Sequence, residues 1–145
     1  MKPRFMLDTN MCIYLMKHHP PEVAVRFAQC YAGEVVISSI TLAELEYGVA
    51  CSGEQQSRNR KALSILLEDL AVAPFDSAAA LAYGPVRLAT RERKRDALDK
   101  LIAAHAIALR VTLVTNNVTD FAGYPELCLE NWVGNPESID WPPTA

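Results

Sequence analysis

Apolar residues fall in short blocks along the chain, and the spacing inside each block names an element. Arg4-Phe5-Met6-Leu7 is a brief run that stops at Asp8, as a buried strand does when it meets a loop. Met11 to Lys17 predicts a helix closed by His18-His19-Pro20-Pro21, and the prolines then open a second helix from Glu22 to about Tyr31. Gly33 breaks the chain before the β-branched strand Glu34-Val35-Val36-Ile37-Ser38. Thr41 to about Ala50 predicts the next helix, and Gly53 marks a turn. From Gln55 to Leu70, Ala62, Leu63, Leu66, Leu67 and Leu70 recur at three- and four-residue steps, the period of an amphipathic helix. Ala71-Val72-Ala73-Pro74 is a short strand. Asp76 to about Thr90 is helical, with Ala79, Ala80, Tyr83, Val86 and Leu88 as candidate buried positions. Asp96 to Leu109 is another helix, Val111 to Thr115 a strand, and Leu127-Cys128-Leu129 the last strand.

Short strands alternating with helices imply an α/β fold: a mainly parallel sheet of four or five short strands with helices on both faces. Ligands in such folds sit beyond the carboxyl ends of the strands. Three strands end in polar residues at that edge: Asp8-Thr9-Asn10, Ser38-Ser39 shortly before Glu44, and Thr115-Asn116-Asn117. That coincidence marks a candidate site.

The length of 145 residues suits one domain, expected over residues 1–133. Residues 134–145 hold Pro136, Pro142, Pro143 and Trp141 and read as an irregular arm. Half of the chain is hydrophobic, enough for a proper core, yet no apolar run is long enough to span a membrane. The apolar run at the N-terminus stops too soon for a secretory signal, so a cytoplasmic location is expected. Cys12, Cys30, Cys51 and Cys128 form no Cys-x-x-Cys pair and have no histidine at zinc-finger spacing; isolated thiols are expected. The net charge of -3 excludes nucleic-acid binding by bulk charge alone and calls for a local basic surface, a metal, or both.

Each candidate residue has a structural reading beside its chemical one. Asp8 suits a metal ligand, and equally a helix N-cap. Glu44 lies three residues after Thr41, the spacing of a capping box, but apolar Ile40, Leu42, Leu45 and Val49 around it also place it toward the buried side. Asp99 is a potential ligand above small Ala103 and Ala106, or an acid favoured in a first helical turn capped by Asp96. Asn117 and Asp120 read either as a turn or as the outer part of an acidic site. Together these oxygen donors suit Mg2+, with Mn2+ as a substitute. Arg87, Arg91, Arg93, Lys94, Arg95 and Lys100 surround Asp99 in sequence, as a solvated charged segment or as a phosphate-binding rim. His105 points away from Asp99 on a helical wheel and reads as structural, packing or bonding within its helix. Trp132 and Tyr124 read as packing residues of the last strand.

The ordered set Met6-Leu7-Asp8-Thr9-Asn10, Ser38-Ser39-Ile40-Thr41-Leu42-Ala43-Glu44-Leu45, Asp99-Lys100-Leu101-Ile102-Ala103-Ala104-His105-Ala106 and Leu113-Val114-Thr115-Asn116-Asn117 with Asp120-Phe121 resembles the PIN-domain family, and within it the VapC toxins. The resemblance covers about residue 4 to residue 133. It implies a PIN-like fold and a Mg2+-dependent endoribonuclease that leaves a 5′-phosphate and a 3′-hydroxyl, with Asp8, Glu44 and Asp99 as its acidic core. Asn117 stands where PIN domains often carry a fourth acid, and an amide binds a cation more weakly than a carboxylate. Thr9, Ser38 and Thr115 are expected to support the ligands by hydrogen bonds. The resemblance further implies a homodimer, a VapB-like antitoxin that covers the site, and RNA, transfer RNA among the candidates, as substrate. The run Arg93-Lys94-Arg95-Asp96-Ala97-Leu98 departs from the Gly-rich approach common in that family.

Three rivals stand beside it. A phosphatase with an aspartyl nucleophile wants Asp-x-Asp, and Asn10 removes the second acid. A signalling receiver wants a lysine after a late strand, and none follows. A non-catalytic PIN-like module would bind RNA or protein without cutting.

Overall fold

The computed structural model describes residues 2–93 and 97–134. The expectations for Lys94, Arg95, Asp96 and the arm beyond Gly134 lie outside these residues. Strand β1 (Phe5–Leu7) leads into α1 (Thr9–Lys17) and α2 (Pro21–Ala28). Strand β2 (Val35–Ser38) leads into α3 (Ser39–Ala50), a 3-10 turn at Gly53–Gln55 and α4 (Gln56–Asp69). Strand β3 (Ala71–Ala73) is followed by α5 (Ser77–Ala89) and α6 (Ala97–Leu109), then β4 (Thr112–Val114), α7 (Val118–Phe121) and β5 (Cys128–Glu130).

The five strands form one sheet in the order β3-β2-β1-β4-β5, and every pair is parallel. Phe5 pairs with Val35 on one side and Thr112 on the other, so β1 is the central strand. The chain builds β2 and β3 outward on one side of β1, then crosses over to build β4 and β5 on the other. The order therefore reverses at β1, which puts the topological switch point between the carboxyl ends of β1 and β4.

Side-chain alternation along the strands divides the core in two. Phe5, Leu7, Val35 and Ile37 face α1 to α4, packing on Met11, Cys12, Leu15, Leu45, Leu63 and Leu66. Met6, Val36 and Leu113 face α5, α6 and α7, packing on Val86, Ile102, Ala103, Ala106 and Phe121. Trp132, fully buried, closes the first layer edge-on against Phe5 at 5.6 Å. Tyr124 packs at 5.3 Å on Phe121. All four cysteines are free thiols.

Several boundaries differ from expectation for local reasons. Helix α3 begins at Ser39, because the Ser38 hydroxyl oxygen accepts from the Ile40 N–H and caps it. Thr41 is then inside the helix and fully buried, so the Thr41–Glu44 capping box does not form. The Asn116 to Phe121 stretch, expected as a turn, contains the single helical turn α7. In α5, Ala79 and Val86 are buried as expected, but Ala80 and Leu88 face outward. The expected positions do not all lie on one helical face, and only the Ala79–Val86 side meets the sheet.

Candidate active site

Asp8 follows β1 at the reversal point. Its backbone N–H extends the strand pairing to Val114 O at 3.0 Å, and its Oδ1 accepts from the Met11 N–H at 2.9 Å, capping α1. Capping does not exhaust it, since an ionised carboxylate offers about four lone-pair sites. Asp8 is only 5% exposed. Burial pushes its pKa up, hydrogen bonds from Thr115 and the Met11 amide pull it down, and the nearby Glu44 charge pushes it up again. No cationic side chain forms an ion pair with it among the described residues. Its negative charge is buried beside another negative charge.

Glu44 reaches this point from α3. Its Oε1 accepts from the Thr9 hydroxyl at 2.5 Å, bridging α3 to the first residue of α1. That bond turns Glu44 toward Asp8. Its neighbour Glu46 instead holds Arg60 through two bonds, at 2.6 and 2.8 Å, on the surface. Two glutamates two residues apart thus serve different faces, as the apolar residues around Glu44 led one to expect.

Thr115 ends β4 beside Asp8. Its hydroxyl accepts from the Asn117 N–H at 2.9 Å, which leaves its proton for the Asp8 carboxylate. The Asn117 and Asp120 side chains are exposed on the turn and on α7. Asn116, not among the expected residues, donates from Nδ2 to the Tyr14 hydroxyl at 2.9 Å, while its Oδ1 is buried with no hydrogen-bond partner among the described residues. The Asn-Asn pair after a strand was the only sequence signal for it.

Asp99 is half-buried in the first turn of α6. Helix α6 delivers the chain to the amino end of β4, so it runs against the strands. Its first turn therefore stands at the carboxyl edge, as Asp8 does. Edge and side agree, but the three acids do not close on one point: among the described residues no three His, Cys, Asp or Glu side chains gather tightly enough to hold a metal.

The basic residues separate. Arg87 and Arg91 are exposed, Arg91 lying 3.8 Å from Glu92. Arg93 lies over the Tyr124 ring at 5.3 Å. Lys100 corrects the expectation of a continuous phosphate-binding rim. It is 6% exposed, and its ammonium donates to the backbone carbonyls of Thr90, at 3.0 Å, and Arg93. A buried ammonium must spend its donors on nearby acceptors, so Lys100 ties the start of α6 to the end of α5 and faces no solvent. His105 also departs from expectation: its Nδ1 meets Ser38 Oγ, at the end of β2, at 2.8 Å and not a group of its own helix.

A groove of about 480 Å³ adjoins the site, lined by apolar Ile13, Met16, Leu45 and Val49, by Lys17 and Arg58, and by Glu44.

The donor set can be tested against a cation directly. Two carboxylates, one buried without a counter-charge, are unfavourable together and favour a cation between them. Mg2+ commonly takes one or two carboxylates and keeps several waters, so Asp8 and Glu44 fit it without a third protein ligand in place.

The family described as PIN domain matches residues 5–126. Ribonuclease VapC2 of Rickettsia felis is 39% identical over 133 residues, covering 88% of this chain and 97% of that protein. The tRNA(fMet)-specific endonuclease VapC of Shigella flexneri is 37% identical over 131 residues, covering 89% and 98%. Among solved structures, DNA-bound VapBC from Salmonella typhimurium superposes with a TM-score of 0.82 at 36% identity, over 90% of this chain and 98% of that one. VapBC2 from Rickettsia felis bound to a DNA fragment from their promoter gives 0.78 at 37% identity, over 88% and 98%.

Proposed function

We propose a site and a reaction from a fixed premise: the chain belongs to the PIN-domain family, and within it to the VapC ribonucleases. The chain is a nuclease of a toxin–antitoxin pair. Its reaction is endonucleolytic hydrolysis of RNA with Mg2+, leaving a 5′-phosphate and a 3′-hydroxyl. The observation that carries the site is the buried, uncompensated Asp8 carboxylate with Glu44 turned toward it at the carboxyl end of the central strand.

Asp8, Glu44 and Asp99 would hold the cation, Asp99 from the first turn of α6. When bound, Mg2+ polarises a phosphate and makes a water more acidic. The protein's own groups do the rest. Thr9 fixes the Glu44 carboxylate, and Thr115 fixes that of Asp8, so each stays turned toward the site before a cation binds. Asn117 and Asp120 stand outside, exposed, where they would meet the cation through water. Arg87 and Arg91 supply exposed positive charge for the RNA backbone, which a chain of net charge -3 needs locally.

The Shigella and Salmonella relatives are named tRNA(fMet)-specific endonucleases, so transfer RNA is the first substrate to test. The partner is a VapB-like antitoxin, supported by the VapBC complexes; a segment bound in the groove that Glu44 lines would cover the site. A homodimer is supported by an uncovered apolar stripe on α5, where Leu81 and Leu88 are 80% and 63% exposed. The cytoplasm is the compartment that suits an RNA target and four free thiols.

The test is the antitoxin-free chain incubated with purified initiator tRNA and with total bacterial RNA, in Mg2+ or EDTA. Discrete fragments bearing 5′-phosphates, seen with Mg2+ and lost in Glu44→Gln and Asp99→Asn, are expected. Cleavage that survives EDTA, or persists in both variants, would refute the proposed site.

A further inference from the structure

One buried polar network below the carboxylates is used by none of the chemistry above. Ser38 and His105 are essentially inaccessible to solvent, yet both are polar. The Ile40 N–H donates to Ser38 Oγ at 3.0 Å, and Ser38 Oγ lies 2.8 Å from His105 Nδ1. The Pro74 carbonyl, just after β3, lies beside the imidazole. Phe75 packs edge-on against the ring at 5.4 Å, and its N–H donates to Ser39 Oγ at 3.0 Å. Ile40, Ser38 and His105 thus form one hydrogen-bonded chain that ties α3 to α6.

The network joins the elements that carry the acids. His105 lies on α6, six positions after Asp99. Ser38 caps α3, the helix of Glu44. Continuing the β1–β2 register by two residues from Met6–Val36 sets Ser38 beside Asp8. Stability alone does not call for this arrangement. Replacing both partners of a buried hydrogen bond by apolar groups of similar shape is often nearly neutral, whereas a satisfied network fixes one geometry.

We propose that His105 is a positioning residue for RNA cleavage, which through Ser38 holds the start of the Glu44 helix at a fixed place beneath the Asp99 helix. The inference rests on the Asp8–Glu44–Asp99 reading of the site.

The experiment uses the full chain as wild type, His105→Gln, His105→Leu, Ser38→Ala and the double variant Ser38→Ala/His105→Leu. A glutamine amide places an acceptor and a donor at about the spacing of the two ring nitrogens; leucine offers neither. Measured are kcat and KM on RNA in Mg2+, and Mn2+ affinity by calorimetry without RNA. The expected result is a kcat lower by about tenfold in His105→Leu and Ser38→Ala with KM within about twofold, and Mn2+ affinity weakened by about tenfold. His105→Gln recovers most of both, and the double variant is no worse than either single one. Folded His105→Leu with wild-type kcat and Mn2+ affinity overturns the inference, as does His105→Gln falling as far as His105→Leu. Should His105→Leu fail to fold, the other two single variants decide: Ser38→Ala at wild-type kcat overturns the inference, and Ser38→Ala reduced with His105→Gln intact upholds it. Mn2+ affinity absent from the wild type overturns the site reading and this inference with it.

Discussion

Asp8→Asn should destroy cleavage and at the same time stabilise the metal-free protein at neutral pH. An asparagine is as good an N-cap as an aspartate, so its Oδ1 keeps the bond from the Met11 N–H. Its amide fills the same volume, and the Thr115 hydroxyl can turn to accept from it. What disappears is a negative charge that is 5% exposed, beside Glu44, with no paired cation among the described residues. Removing an unfavourable charge from such a site is worth about 1 kcal/mol, in the range of single stabilising substitutions. For a domain of this size that is a rise in Tm of roughly 3–5 °C. The pH dependence carries the sign. Burial and Glu44 outweigh the hydrogen bonds and raise the folded pKa of Asp8 above its ordinary value. The folded state then holds a proton that the unfolded state has released, so wild-type stability falls as pH rises from that ordinary value through the folded pKa. The amide of the Asp8→Asn variant does not titrate. The advantage of the variant should be absent below about pH 4, the ordinary carboxylate range, and grow as pH rises through the folded pKa. Thermal denaturation by circular dichroism in EDTA, from pH 4 to 8, measures it. A gap that does not change with pH, or a variant less stable than wild type at pH 7, would refute the reasoning. Adding Mg2+ should raise Tm for wild type and leave the variant unmoved.

Trp132→Ala should cost about 3–5 kcal/mol, since the indole is fully buried against Phe5 and nothing nearby refills its volume; urea denaturation of the metal-free protein measures it, and a loss under about 1 kcal/mol would show the C-terminal segment to be dispensable. Lys100→Met and the pair Arg87→Ala/Arg91→Ala should part company. Lys100→Met removes charge-assisted bonds to Thr90 and Arg93 and should cost about 2–3 kcal/mol with no change in the salt dependence of RNA binding. The arginine pair should leave Tm within about 2 °C and flatten the slope of log affinity against log salt. The same salt slope change in Lys100→Met would restore it to the RNA-facing rim.

Much of the fold was legible because periodicity reports burial. The apolar stops at Leu7 and Ser38, and the three- and four-residue steps from Ala62 to Leu70, each correspond to an element within a few residues. Polar residues immediately after strands marked the right edge of the sheet, because a strand buried on both faces yields to polarity only where it leaves the core. Asp8 was visible on that ground.

The sequence by itself determined the alternation of strands and helices, the parallel sheet and the edge on which acids collect; these follow from local hydrophobic spacing and the handedness of crossovers. Only the tertiary structure decided what each side chain faces. Local apolar neighbours already set Glu44 inward and Glu46 outward, but Glu44 bonds to Thr9 across 35 positions and Glu46 to Arg60 across 14, partners no local window contains. Lys100 left the basic run for two backbone carbonyls, because the end of α5 packs over it. His105 met Ser38 across 67 positions because α6 packs beside α3, whose first turn Ser38 caps. Sequence spacing fixes the face of an element, but a side chain's partners are set by which elements the fold brings against that face.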